Sequence, residues 1–127
     1  MHFLNDRIRP RYQKFINQHI GQLSVDRCTN EIRRRGITKT DSNECKETNT
    51  FIRATTGLVK PICGAGGEPY GTMRKSLRPF DIVVCTLTQG VRKPHCEYRG
   101  NSFTRKIAIA CDGGFPVHFE RDIVNFQ

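Results

Sequence analysis

The stretch Cys45-Lys46-Glu47-Thr48-Asn49-Thr50-Phe51 joins a cysteine and a lysine to a run rich in threonine and phenylalanine. β-Branched and aromatic residues favour extended backbone, so we predict a short strand over residues 48–53. On its own, a lysine such as Lys46 is most often a solvated side chain. Whether this stretch has a functional role therefore has to be judged together with residues elsewhere in the chain.

Upstream of this strand the sequence predicts two helices. Apolar residues recur at helical spacing from Tyr12 to Ile20, and Gly21 would end that helix. A second helix would begin with Ser24 as its N-cap. It would end through Arg33-Arg34-Arg35 at Gly36, where the cationic side chains suit the helix dipole.

Downstream of the strand, extended segments dominate. A brief third helix is predicted over residues 56–63, and the glycine-rich residues 64–71 are predicted to form a loop. Alternating β-branched and aromatic residues predict strands over residues 80–87, 96–99, 105–111 and from 117 onward, the last after a turn at residues 113–114. Helices followed by strands indicate the α+β class.

Length and charge limit the classes of protein to which this chain can belong. The chain has 127 residues, with 21 Lys and Arg against 12 Asp and Glu, which gives a net charge of +9. We expect one domain over residues 1–127, with residues 1–8 flexible. The longest apolar runs are a few residues, far below the roughly 18 of a membrane span, which excludes a transmembrane protein. The positive charge favours polyphosphates and anionic surfaces as partners.

The six cysteines are widely spaced and include no C-x-x-C pair. This spacing disfavours zinc and leaves two readings, free buried thiols or three disulfides in a secreted protein. We favour the disulfides, which would supplement a modest core. Spacing alone leaves all 15 pairings open. No signal peptide begins the sequence, so we interpret it as a mature secreted chain.

Two of the four histidines stand out by their surroundings. His19 lies beside the apolar stripe of the first helix. In the last strand, alternation places Val117 and Phe119 on one face and His118 on the other. Taken alone, His118 could equally be an inert surface residue. His2 and His95 are expected to be solvated.

The joint pattern resembles the pancreatic-type ribonuclease superfamily and, within it, the angiogenin-like branch. The first stretch quoted matches the family's C-K-x-x-N-T-F signature. The other residues that carry the resemblance are Gln18-His19, Pro116-Val117-His118-Phe119, Arg33-Arg34-Arg35-Gly36-Ile37, Cys96-Glu97-Tyr98-Arg99 and the six-cysteine layout. The similarity covers about residues 11–123.

This resemblance implies a ribonuclease A-like α+β fold. Three short helices would pack on a bent antiparallel sheet in two lobes, with the cleft between them. The family's disulfide pattern implies the pairs Cys28–Cys85, Cys45–Cys96 and Cys63–Cys111.

The resemblance also implies a secreted endoribonuclease that cuts single-stranded RNA 3′ of pyrimidines. Because RNA carries its own nucleophile, the 2′-hydroxyl, the reaction needs no metal and no cofactor. His19 would be the base and His118 the acid in transphosphorylation to a 2′,3′-cyclic phosphate, which water then hydrolyses. Lys46 would stabilise the charge on the transition state.

The remaining site residues follow from the same resemblance. Gln18 and the backbone N–H of Phe119 would contact the phosphate, Thr50 would read the pyrimidine, and Asn49 would orient the neighbouring backbone. Glu120 and Arg121 stand where the angiogenin-like branch has a pair that blocks the pyrimidine pocket, so both are candidate modulators of that pocket. Asp112 stands near the expected purine-side subsite.

An alternative class is a cationic host-defence protein or an angiogenin-like signalling protein with weak ribonuclease activity. Arg33, Arg34 and Arg35 resemble a nuclear or nucleolar targeting stretch, but are equally typical of a solvated helix end. The expected partners are RNA, anionic bacterial surfaces, a cell-surface receptor and ribonuclease inhibitor. We expect a secreted monomer that does not insert stably into membranes, with nuclear uptake as a second destination.

Overall fold

The structure, a computed structural model, describes residues 4–124. Its helices are α1 (Arg9–His19), α2 (Cys28–Arg35) and α3 (Thr56–Val59). Its strands are β1 (Thr48–Ile52), β2 (Gly67–Tyr70), β3 (Met73–Ser76), β4 (Phe80–Gln89), β5 (Glu97–Asp112) and β6 (Phe115–Ile123). Across residues 4–124, no helix has both the length and the apolar character needed to cross a bilayer.

The long strand β5 organises the antiparallel sheet in two parts. Its first half pairs with β4, from Glu97 opposite Gln89 to Arg105 opposite Phe80, and β4 in turn pairs with β1. Its second half pairs with β6 on one side and with β3 on the other, and β3 pairs with β2. Sharing one strand between the two parts yields the two-lobed sheet that was expected.

The helices follow the sequence signals closely. α1 ends at His19, one residue before its C-cap Ile20. α2 ends at Arg35, and its C-cap Gly36 has a φ of 65°, the left-handed conformation that glycine adopts without strain. Ser24 precedes a short 3₁₀ turn rather than α2 itself, and its hydroxyl donates to Asp26 instead of capping the backbone.

The prediction of a loop over residues 64–71 is wrong for its second half, because β2 forms a hairpin with β3 there. Glycine and proline ordinarily weaken strands, but β2 is an outer strand, where Pro69 is tolerated. Gly67 also allows a close approach that no other residue could make. A Cβ at this position would lie 2.1 Å from the carbonyl oxygen of Ile62.

The prediction of two separate strands over residues 96–99 and 105–111 is also wrong, because β5 runs through both without a break. Gly100 lets the strand pass directly under the start of α2. A Cβ there would lie 2.3 Å from the carbonyl oxygen of Val25 and 2.8 Å from Sγ of Cys28.

Two buried clusters form the core of the described residues. The first joins Phe15 of α1 and Val59 of α3 to the isoleucines of the central strands. The second joins Ile32 of α2 to Phe51 and Val83. Phe51 has no exposed surface, so β1 is fixed between the helices and β4.

The three disulfides pair as the family resemblance implies. They are Cys28–Cys85, Cys45–Cys96 and Cys63–Cys111. Cys45 immediately precedes Lys46, so the second disulfide ties the segment before β1 to the start of β5. The cross-links therefore help to hold the segments that carry the candidate site residues.

Removing the Cys28–Cys85 cross-link by a double substitution to alanine is expected to lower the free energy of unfolding by about 4 kcal/mol. The disulfide closes 57 residues of chain. Its loss gives the unfolded chain more conformational freedom while both cysteine positions stay buried. Urea unfolding followed by circular dichroism measures the change, and a loss below about 1 kcal/mol would contradict this account of the disulfide.

The predicted flexibility of residues 1–8 stays a prediction. Residues 1–3, His2 among them, lie outside the part of the chain that the structure describes. Within residues 4–8, Ile8 is buried and the Arg7 guanidinium donates to the carboxylate of Asp112.

Candidate active site

A cleft of about 610 Å³ opens between α1, the segment before β1, β1 itself and β6. It brings together side chains that are far apart in the sequence. The predicted site residues that line it are Gln18, His19, Lys46, Asn49, Thr50, His118, Phe119, Glu120 and Arg121.

His19, the last residue of α1, is buried with 7% of its surface exposed. Its Nδ1 lies 2.8 Å from the carbonyl oxygen of Thr50. A carbonyl can only accept, so Nδ1 carries the hydrogen, and in the neutral ring Nε2 has the free lone pair. The Phe119 ring stacks on the imidazole at 5.3 Å between centroids, which limits its movement.

Burial lowers the pKa of His19 from 6.5 to about 3. The hydrogen bond to Thr50 acts in the opposite direction, and the nearby charges of Lys46 and His118 lower the pKa further. His19 is therefore neutral at pH 7. A neutral imidazole with a free Nε2 is able to accept a proton.

Lys46 is held in place by Asn49, which links it to α1. The Lys46 ammonium donates to Oδ1 of Asn49 at 2.8 Å, and Nδ2 of Asn49 donates to the Gln18 carbonyl at 2.8 Å. Asn49 is 2% exposed, so both bonds are sheltered from water. Burial is also the main cause that lowers the pKa of Lys46, with the charge of Lys14 adding to it.

Thr50 forms part of the cleft wall, opposite Val84 in the pairing of β1 with β4. The residue is 5% exposed, and its carbonyl is occupied by His19. The backbone of Thr50 therefore orients the first imidazole, while its side chain lies in the wall of the same cleft.

His118 differs from His19 in being open to solvent, with 59% of its side chain exposed. Its Nε2 lies 3.3 Å from Oε1 of Glu120, two residues further along β6. Val117 and Phe119 are partly buried on either side, as the period-two alternation predicts. One cleft thus contains a buried, neutral imidazole and an exposed one beside a carboxylate.

Arg121 is held at the rim of the cleft by a residue that sequence reasoning missed. Its Nη2 donates to the hydroxyl of Tyr70 at 2.9 Å, and its guanidinium lies 5.8 Å from the Tyr70 ring centroid. Tyr70 belongs to the β2–β3 hairpin, in a segment that the sequence predicted to be a loop. No local signal marks it, because the contact exists only after β2 has joined the sheet.

Asp112 carries a carboxylate already engaged by two arginines. Arg7 and Arg11 each place a guanidinium nitrogen 2.5 Å from its Oδ2. The hydrogen bond from Arg7 is the main cause that lowers the pKa of this carboxyl. Arg11 also lines the cleft, so this edge of the site presents cations.

The arginine triplet does not line the cleft. Arg33 and Arg34 are exposed, and Arg34 pairs with Glu31 one helical turn back. Arg35 is largely buried between α1 and α2. His95 is exposed in the turn before β5. Among residues 4–124, no cluster of three or more His, Cys, Asp or Glu side chains is arranged to hold a metal ion.

Comparison with known proteins identifies the family of this chain. The family model described as pancreatic ribonuclease matches residues 10–120. The chain is 39% identical to Ribonuclease-like 3 of Danio rerio over 92% of its own length and 82% of that protein. It is 39% identical to angiogenin of Sus scrofa over 90% and 78%, respectively.

A solved structure, the X-ray structure of zebrafish RNase5, superimposes with a TM-score of 0.91. It is 43% identical in sequence, and the match covers 93% of this chain and 98% of that one. The likeness confirms the expected fold class.

Proposed function

This chain belongs to the pancreatic ribonuclease family, in its angiogenin-like branch, and is a ribonuclease; from that premise we propose that it cuts single-stranded RNA 3′ of pyrimidines with His19, His118 and Lys46 as catalytic residues. The observation that carries the proposal is the His19 ring. Its Nδ1–H is fixed on the Thr50 carbonyl, and its free Nε2 belongs to a cleft that also contains His118 and Lys46.

In the first step, Nε2 of His19 takes the proton of the ribose 2′-hydroxyl as that oxygen attacks phosphorus. The bond between phosphorus and the 5′-oxygen breaks, and protonated His118 gives its proton to the leaving oxygen. The products are a 2′,3′-cyclic phosphate and a free 5′-hydroxyl. In the second step the roles exchange, because His118 then takes a proton from water and His19 returns one to the 2′-oxygen.

Lys46 supplies the positive charge near the non-bridging phosphate oxygens. Its ammonium is held by Asn49, so it is aimed before substrate arrives. Such preorganised charge stabilises a transition state without reorganisation at the moment of reaction. Gln18 and the backbone N–H of Phe119 are the further proposed phosphate contacts.

The requirement for a 2′-hydroxyl yields the direct test. We expect the protein to cleave uridylyl-(3′→5′)-adenosine to a cyclic phosphate and adenosine. The same dinucleotide with 2′-deoxyuridine should remain intact, because it lacks the nucleophile. Liquid chromatography of both reactions, with a chelator present, decides the proposal. No cleavage of the ribo-dinucleotide, or equal cleavage of both, would overturn it.

Replacing Thr50 by valine is expected to lower kcat/KM on pyrimidine dinucleotides by about tenfold. Valine keeps the shape of threonine but removes the hydroxyl that would bond the base edge. The backbone carbonyl remains, so the His19 contact survives. Thr86→Val on the neighbouring strand β4, outside the cleft lining, is the matched control and should change kcat/KM by less than twofold. Equal effects of both changes would contradict the role of Thr50.

A second candidate function is supported by the net charge of +9. We propose secretion and a host-defence role in which the cationic surface binds anionic bacterial envelopes. Killing of bacteria by His19→Ala protein at the level of the wild type would support this role. Equal loss of killing and of RNA cleavage would instead assign any killing to the nuclease. Binding of ribonuclease inhibitor or of a cell-surface receptor stays a prediction from the angiogenin-like branch.

A further inference from the structure

Arg35 differs from the other two members of the arginine triplet in being buried. Its side chain is 15% exposed, whereas that of Arg34 is 68% exposed. A guanidinium removed from water requires acceptors for its N–H groups and a counter-charge. The partners of Arg35 therefore show what this cation does in the fold.

Those partners lie at the end of α1. Nη1 of Arg35 donates to the carbonyl oxygen of Asn17 at 2.8 Å and to that of Ile20 at 2.6 Å. Its Nε donates to Glu31 at 2.8 Å, which supplies the counter-charge from within α2. In return, Nδ2 of Asn17 donates to the Arg35 carbonyl at 3.1 Å.

The two carbonyls that Arg35 binds flank Gln18 and His19. Carbonyls in the last turn of a helix lack intrahelical partners, and a cation at that end also interacts favourably with the helix dipole. On the other side, Asn49 of β1 donates to the carbonyl of Gln18. The last turn of α1 is therefore clamped between Arg35 from α2 and Asn49 from β1.

The same guanidinium also contacts the strand that orients the imidazole. It lies 5.1 Å from the centroid of the Phe51 ring, which is fully buried. Phe51 directly follows Thr50, whose carbonyl binds Nδ1 of His19. One buried cation thus touches both elements whose relative position sets the His19–Thr50 hydrogen bond.

We propose that Arg35 is a positioning residue for RNA cleavage, fixing the end of α1 so that His19 meets the Thr50 carbonyl and presents Nε2 to the cleft. This inference rests on the proposed function, because it acts through His19. It also means that only Arg33 and Arg34 of the triplet are displayed on the folded surface. Substitutions of the whole triplet, made to test nuclear targeting, would then disturb cleavage as well.

The first test is Arg35→Lys, which keeps the charge but cannot bond both carbonyls and Glu31 at once. We expect kcat on uridylyl-(3′→5′)-adenosine to fall about tenfold or more with KM changed less than twofold, because small misplacements of a catalytic group are costly. Arg34→Lys is the matched control. It lies on the same helix end and also pairs with Glu31, but it should leave both constants within twofold of the wild type.

The second test displaces the guanidinium without removing it. A Cβ at Gly21 would lie 2.8 Å from Nη2 of Arg35, so Gly21→Ala requires the guanidinium to shift. We expect a loss of kcat smaller than that of Arg35→Lys, together with a changed chemical shift of the His19 Cε1–H in the NMR spectrum. This variant keeps the inference testable if Arg35→Lys fails to fold.

Folded variants whose kcat and His19 resonance equal those of the wild type would overturn the positioning role. So would a loss of activity that matches the unfolded fraction measured by circular dichroism, since that outcome indicates a structural role alone. Wild-type and His19→Ala proteins are measured in the same assay. An inactive wild type, or a fully active His19→Ala protein, would overturn the proposed function itself and the Arg35 inference with it.

Discussion

His19→Ala protein is expected to cleave a pyrimidine dinucleotide with kcat/KM lower by about 10²–10⁴-fold. Alanine removes the only group proposed to take the proton of the 2′-hydroxyl. The loss arises from chemistry rather than unfolding, because the disulfides and both core clusters remain. Steady-state kinetics at pH 7, with circular dichroism to confirm folding, measures it.

His95→Ala is the matched control for this change. His95 is exposed in the turn before β5 and is separate from the cleft. Its removal should leave kcat/KM within twofold. A folded His19→Ala protein that retained more than about a tenth of the wild-type activity would be inconsistent with His19 as the base.

The His118→Ala change is expected to lower kcat/KM on the same dinucleotide by about 10²–10⁴-fold. Here the missing group is the acid that protonates the departing 5′-oxygen. The loss should therefore depend on how strongly the leaving group needs a proton. Uridine 3′-phosphate esterified with p-nitrophenol releases a stable anion, and on this substrate His118→Ala should approach the wild type.

His19→Ala provides the control for that comparison, because the nucleophile is the same in both substrates. Its loss should persist with the p-nitrophenyl ester. If His118→Ala were equally impaired on both substrates, then His118 would bind or orient substrate rather than protonate the leaving oxygen.

The local features of the fold could be predicted because their signals lie within a few residues. The strand predicted over residues 48–53 ends one residue earlier, at Ile52, and Gly36 caps the second helix as predicted, although that helix begins at Cys28 rather than directly after Ser24. The β2–β3 hairpin could not be predicted, since it depends on Gly67 passing Ile62 and on an outer strand that accepts Pro69. Continuity of β5 likewise depends on a contact distant in sequence, between Gly100 and Val25.

In the candidate site, too, some features can be predicted from local sequence and others depend on contacts between distant segments. Short motifs identified His19, Lys46 and His118, and the structure brings them to one cleft. Motifs do not show how side chains are oriented. The hydrogen bond from His19 to the Thr50 carbonyl spans 31 residues, and the bond from Arg121 to Tyr70 spans 51. Both depend on packing that only the folded chain creates.

The most direct measurement of the central claim, that two imidazoles act as base and acid on one phosphate, is the pH dependence of kcat/KM on uridylyl-(3′→5′)-adenosine. We predict a bell-shaped profile. Activity rises as His19 loses its proton, and this limb lies below pH 6.5 because burial lowers the pKa of His19. Activity falls at higher pH because the acid that protonates the leaving oxygen must itself carry a proton. A profile without two limbs, or one whose acidic limb survives unchanged in His19→Ala protein, would contradict the account.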